Sequence, residues 1–286
     1  MTNSVFVPGH ITGFFTIENH EIRLKNGSCG AGFLLTKGVR TTVSASDKFI
    51  ADVNQGDSTV IDEVLSILEL ENNDFKITQD IQLPIGAGFG TSAASALSLT
   101  LAINEFLDLG YSEELCGQIA HMAEVNLGAG LGDVIAQTGQ GLVLRTKPGA
   151  PGIGEIKSFE EDVFIGWKTF GGIETSDIIR DHHHRQTIST SGAKYLELFV
   201  EEPTLKNFLA FSARFSHEIN LMSDEVKNLI EYFNSSSDIL GSSMAMLGNT
   251  AFAFAYDEDA FKNLDVENLH IDKLNNIGIV YDQTEL

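Results

Sequence analysis

The stretch Pro84-Ile85-Gly86-Ala87-Gly88-Phe89-Gly90-Thr91-Ser92-Ala93-Ala94 carries the densest chemistry in the chain. A strand-like run ends, glycines alternate with other residues, and an Ala- and Leu-rich segment follows. Glycines let a backbone turn sharply and bare successive N–H groups. A helix start adds unpaired N–H donors and the positive end of the helix dipole. Together these features predict a phosphate cradle. No Lys or Arg stands between Lys76 and Arg145, whereas seven acids do. A phosphate held here therefore relies on backbone amides and a metal ion, not on a loop lysine, and the pattern G-x-x-x-x-G-K-S/T is absent.

Two carboxylates suit such a site. Glu124 closes a helical segment, and Asp133 follows the run Gly128-Ala129-Gly130-Leu131-Gly132, which allows close backbone approach. Phosphoryl transfer needs a magnesium ion with oxygen ligands and often a carboxylate near the attacking hydroxyl. Ser92, Glu124 and Asp133 supply those types. Taken singly, Glu124 reads as a solvated helix-end acid and Asp133 as an N-cap for Val134 onward. Their joint placement beside the glycines favours chemistry. Gly86, Gly88 and Gly90 with Asp108 also sketch a dinucleotide fingerprint, but Asp108 ends the helix with no second strand before it. A purely structural glycine turn is the other alternative.

The elements that must position these groups are legible in outline. Val5–Val7 before Pro8-Gly9, Gly32–Leu35 before Lys37-Gly38, Thr41–Ser44 and Phe75–Thr78 read as short strands. Residues 59–71 have helical apolar spacing. A buried helix is predicted from about Thr91 to Leu107, and a second from the N-cap Ser112, with Leu115, Ile119 and Met122 as its core stripe. Leu142–Leu144 is a strand, and the run 147–154 is a domain boundary or a long hairpin loop. Beyond it, Val163–Trp167, Ala251–Ala255 and Ile277–Val280 read as strands, with helices across 176–185, 194–200, 204–221 and 223–234. Strand–helix mixing in both halves suggests two α+β units, 1–155 and 156–286.

Composition narrows the function classes. The chain has 286 residues, with 18 Lys plus Arg against 40 Asp plus Glu, a formal net charge of −22. That balance argues against nucleic acid or an anionic membrane as partner. Residues 81–104 are uncharged, but their Gly, Ser and Thr content and lack of basic flanks argue against a span. Cys29 and Cys116 suit reduced thiols in a cytoplasmic protein. His182-His183-His184 lacks the i, i+4 spacing of a chelating helix and reads as a solvated helix end.

Residues 84–94 resemble the P-x-x-x-G-L-G-S-S-A-A motif of the GHMP kinases, and Glu124 to Gly141 is similar to that superfamily's Glu…G-x-x-x-D…G-G segment. Gly241-Ser242-Ser243 with Gly248-Asn249 stands where its third, glycine-rich motif falls. Among these kinases the chain looks most similar to the pantoate kinases of archaea. That likeness lies in Val5 to Phe15, His10 included, in Gly27 to Gly32, and in Met246 to Phe254. The resemblance implies an α+β two-domain GHMP kinase fold, with a left-handed βαβ element in the first domain and a ferredoxin-like second domain. It implies ATP-dependent phosphorylation of the 4-hydroxyl of pantoate, on the way to coenzyme A, and a homodimer. ATP would lie on Pro84, Gly86, Ala87, Gly88, Phe89, Gly90, Thr91, Ser92 and Ala93. Ser92 and Glu124 would hold Mg²⁺, and Asp133 would be the base. Pantoate, with its carboxylate and hydroxyls, would meet His10, Ser28, His121, Arg145 and Ser176. Another GHMP kinase, acting on homoserine, mevalonate or shikimate, and a non-catalytic nucleotide-binding protein stay open as alternatives.

Overall fold

Two long antiparallel strands, β1 (Thr2–Phe15) and β2 (Gly30–Ala45), organise the computed structural model, which describes residues 2–172 and 182–284. β3 (Ile50–Val53), α1 (Thr59–Ile67) and β4 (Phe75–Ile81) follow as a parallel βαβ unit on β2. Next come α2 (Thr91–Leu107), α3 (Glu113–Leu127), α4 (Asp133–Gln137), β5 (Leu142–Lys147) and β6 (Glu155–Phe159). The run 147–154 is a hairpin loop: β6 pairs back onto β5, and β5 onto β2. The chain continues through β7 (Phe164–Thr169), α5 (His182–Glu201), α6 (Leu205–Ile219), α7 (Asp224–Asn234), β8 (Gly241–Met244), β9 (Thr250–Ala255), α8 (Asp259–Lys262) and β10 (His270–Lys273). The last strand, β11 (Val280–Thr284), returns to β1.

The second sheet is antiparallel in the order β10-β7-β9-β8, with helices after its first and third strands. Relabelled in chain order this is 4-1-3-2, the ferredoxin-like arrangement that the family resemblance implies. Among the described residues, no helix is long and apolar enough to cross a membrane.

β1 and β2 serve two cores in succession. Val5, Val7, Val39 and Val43 pack with α1, α2 and α3, whereas Ile11, Phe14, Phe33 and Leu35 pack with the second sheet and α6. The strand register shifts between Pro8 and His10, where one core gives way to the other. The Pro-Gly and Lys-Gly signals expected as turns lie inside this continuous ladder, Pro8 opposite Gly38. A Cβ at Gly38 would collide with the Val7 carbonyl, and one at Gly9 with Leu83. The glycines therefore permit close approach at an irregular pairing, a role that local sequence does not separate from a turn.

α2 is buried nearly all round, as expected, and its polar side chains are paired: Ser98 Oγ lies 2.7 Å from Thr41 Oγ1, and Ser95 Oγ donates to Gln79 Oε1 at 2.6 Å. Ser112 caps α3 by accepting from the Leu115 amide. The buried stripe of α3, however, is Cys116, Ala120 and Ala123, while Leu115 is 39% exposed. Small residues let α3 approach α2 closely, so the contact face is turned one position from the larger apolar side chains. The helices expected at 176–185 and 194–200 are a single helix over 182–201 within the described residues, and the last ladder starts at Val280 rather than Ile277.

Phe33 marks the centre of the second core. Its ring centroid lies 5.0 Å from Phe252 and 4.8 Å from Phe254, edge-on to both. Replacing it with alanine removes these contacts and leaves a cavity, so Phe33→Ala is expected to destabilise the chain by about 3–5 kcal/mol. Urea unfolding followed by circular dichroism measures this, and an unchanged midpoint would contradict the assignment.

Candidate active site

The glycine loop runs from the end of β4 to the first turn of α2. Gly86, Gly88 and Gly90 take φ of 72°, 88° and 58°, the left-handed region that favours glycine. Thr91 Oγ1 donates to the Pro84 carbonyl at 3.2 Å and closes the loop. The His10 amide donates to the Phe89 carbonyl at 2.9 Å, and Thr250 Oγ1 to the Ala87 carbonyl at 2.8 Å. The Phe89 ring packs edge-on against Trp167, centroids 4.7 Å apart. Gly248, in the segment read as a third glycine motif, lies so close that a Cβ there would collide with the Ala87 carbonyl. Both halves of the chain thus pin this loop. Among the described residues, the amides of Gly86, Gly88 and Gly90 find no protein acceptor, and they stand beside the free N–H groups of the α2 start.

These groups face a cavity of about 430 Å³. Ser92 Oγ donates to Glu124 Oε1 in its wall. Glu124 is buried rather than solvated, and its pKa is pushed up to about 7, first by burial and further by the charge of Asp133, with the Ser92 hydrogen bond opposing. A Cβ at Gly130 would stand 2.7 Å from Glu124 Oε2 and 3.1 Å from Asp133 Oδ2, so that glycine leaves room for both carboxylates.

Asp133 is the first residue of α4, with Gly132 as its N-cap. His10 Nδ1 lies 2.7 Å from Asp133 Oδ1, and about a quarter (26%) of the Asp133 side chain is exposed. Burial raises the pKa of this carboxyl, but the His10 hydrogen bond and the positive charge of Arg145 outweigh it and hold the group below the usual carboxylate range. Arg145, at the β5 end of the site, is buried. Its Nη1 lies 3.2 Å from His10 Nε2, and its Nη2 donates to Thr12 Oγ1 at 3.3 Å. Of the residues lining the cavity, Arg145 is the only Lys or Arg among those described, so any phosphate on the loop meets amides rather than a lysine.

The residues singled out from sequence are placed as follows. Gly86, Gly88, Phe89, Gly90, Thr91, Ser92, Glu124, Asp133, Ser28 and Arg145 line one cavity. Pro84, Ala87 and Ala93 belong to the loop and helix start without lining it. His10 stands behind Asp133, fully buried. His121 points elsewhere, its Nε2 lying 3.4 Å from the Arg23 carbonyl. Ser176 lies outside the described residues, as do the side chains of His182 and His183. Thr12, Met246 and Leu247 in the wall, and Gln137, which donates to the Gly90 carbonyl at 2.8 Å, are not marked as site residues by type or spacing. Thr12 and the Met246-Leu247 pair lay inside quoted motifs. Gln137 carries a signal only as the residue one turn after Asp133.

The oxygens of Ser92 and Glu124 suit Mg²⁺. Among the described residues no group of three or more acidic, His or Cys side chains gathers as a metal cage. Magnesium characteristically binds through one or two carboxylates plus phosphates and waters, so this sparse donor set fits it.

The model of the GHMP kinases N terminal domain matches residues 59–141, the span that holds the glycine loop and both carboxylates. The chain is 34% identical over 257 residues to the pantoate kinase of Methanocaldococcus jannaschii, covering 89% of this chain and 93% of that one. It is 32% identical to the pantoate kinase of Thermococcus kodakarensis, covering 98% and 94%. A solved structure described as a phosphotransferase related to the CoA biosynthesis pathway superposes with a TM-score of 0.87, at 30% identity over 99% of both chains. A homoserine kinase from Cytophaga hutchinsonii, at 16% identity and a TM-score of 0.70 over 98% and 97%, shares the fold. The chain belongs to the GHMP kinases and, within them, to the pantoate kinase family.

Proposed function

We propose that this chain transfers the γ-phosphoryl group of ATP to the 4-hydroxyl of pantoate. The carrying observation is that one cavity holds an amide-lined loop, an ionised carboxylate and a single buried cation. The loop amides and the start of α2 hold the phosphates, as donors fixed before the substrate arrives. Ser92 and Glu124 hold Mg²⁺, which when bound offsets negative charge on the phosphates. Asp133 Oδ2, the oxygen His10 leaves free, takes the proton of the acceptor hydroxyl or orients it for in-line attack. Arg145, with its Nε unpartnered, and Ser28 offer a charged and a neutral donor to the acceptor's carboxylate. The buried thiols Cys29 and Cys116 accord with a cytoplasmic setting.

³¹P NMR on the purified chain with ATP and Mg²⁺ tests the substrate. Phosphopantoate is expected, with no turnover of homoserine, mevalonate or shikimate; phosphorylation of one of those instead would overturn the choice of acceptor. Asp133→Asn keeps the shape and the His10 bond but removes the base, so kcat is expected to fall about 10²- to 10⁴-fold.

Glu124 gives a pH signature. The folded chain holds its proton up to about pH 7, whereas an ordinary glutamate releases it near 4.5. Stability is therefore expected to fall as pH rises between those values, by about 3 kcal/mol. Glu124→Gln removes that slope. In thermal melts without metal its Tm should gain on the parent as pH rises from about 5 to about 8, while its Mg²⁺-dependent activity is lost. Parallel pH profiles for the two proteins would show that Glu124 carries no such cost.

A further inference from the structure

The side chain of His10 is fully buried and forms no part of the cavity wall, yet it touches two residues that do. Its Nδ1 lies 2.7 Å from Asp133 Oδ1, and its Nε2 lies 3.2 Å from Arg145 Nη1. A guanidinium has only donors, so His10 Nε2 must be the acceptor. A neutral ring with a lone pair on Nε2 carries its proton on Nδ1, and that N–H points at Asp133. Burial, the largest influence on this ring, lowers its pKa and favours the neutral form.

We propose that His10 is a positioning residue: Arg145 selects its tautomer, and its Nδ1–H pins one oxygen of Asp133 so that the other is presented to the acceptor hydroxyl. This rests on the reading of Asp133 as the base.

Three further contacts support the assignment. The backbone amide of His10 donates to the Phe89 carbonyl, so the residue that orients the base is also fastened to the phosphate loop. A Cβ at Gly32, across the ladder, would collide with His10 Nε2; a glycine there lets the ring lie over β2. On the far side of the base, Gln137 ties α4 to the Gly90 carbonyl. A base held from both ends stays in reach of the acceptor, and a shift of about 1 Å can lower the rate about 10²-fold.

Two substitutions separate positioning from packing. In His10→Asn the side-chain amide takes the place of Nδ1–H and keeps a donor for Asp133. In His10→Gln the amide reaches toward Arg145 instead. Both are assayed with ATP, Mg²⁺ and pantoate after circular dichroism confirms folding. His10→Gln is expected to lose kcat about 10- to 100-fold with KM for ATP little changed. His10→Asn is expected to turn over at least about ten times faster than His10→Gln. Equal kcat values for the two, high or low, would overturn the proposal. Should either fail to fold, ¹⁵N NMR of histidine-labelled parent protein decides. A neutral His10 protonated on Nδ1 supports the assignment, and an Nε2–H tautomer or a charged ring sinks it. Asp133→Asn is the control for the underlying reading. Undiminished kcat in that variant removes the base itself, whereas a dead Asp133→Asn with equal His10 variants removes only the positioning role.

Discussion

A guanidinium buried beneath the cavity is the interaction on which the site depends. Withdrawing a cation from water is costly unless it is paired and hydrogen-bonded. Arg145 meets that demand with the His10 ring and the Thr12 hydroxyl, and its counter-charge, Asp133, lies on the far side of the same ring. Three separate elements are thereby drawn to one line: β1 gives His10 and Thr12, β5 gives Arg145, and α4 gives Asp133. A lysine could not replace the arginine on equal terms, because a single ammonium lacks the planar fork that serves ring and hydroxyl at once.

The strands explain why this line lies where it does. β1 must leave the core under α1–α3 and enter the core shared with the second sheet, and it changes register at Pro8–His10 to do so. Such a break in register changes which partners the side chains beyond it meet. His10 is the first residue past the shift to regain a partner on β2, and its amide meets the glycine loop. The loop is held from the other side by Gly248 and Thr250 of the second half. The site thus forms at the junction of the two cores and needs both to exist.

What was legible in the sequence was what local chemistry determines. The glycine loop, the limits of α2 and the Ser112 cap follow from backbone freedom, apolar spacing and residue type, whereas the pairing of Ser92 with Glu124 was legible only through the family resemblance. What was not legible depends on partners distant in the chain. Pro8-Gly9 and Lys37-Gly38 have turn chemistry but lie in a ladder, because the close approach they permit is visible only once β1 and β2 are paired. The stripe of α3 is turned one position because a helix neighbour rewards small residues there. His10 and His121 look alike as buried histidines; only the fold places one against Asp133 and the other against the Arg23 carbonyl.

The two carboxylates show how one small cavity assigns different work to similar groups. Burial acts on both, yet Asp133 receives a hydrogen bond from His10 and the field of Arg145, while Glu124 receives only the Ser92 hydroxyl and the repulsion of Asp133. Environments that push two acids apart in pKa separate their roles. Asp133 is ionised by contacts within the chain and needs no ligand to be ready. Glu124 keeps its proton near neutrality in the protein alone, and the low polarity that makes it a poor anion there strengthens its attraction to a divalent charge. In the roles proposed above, contacts within the chain alone ready Asp133 as a base, whereas Glu124 as a metal ligand would be completed by what the cavity binds.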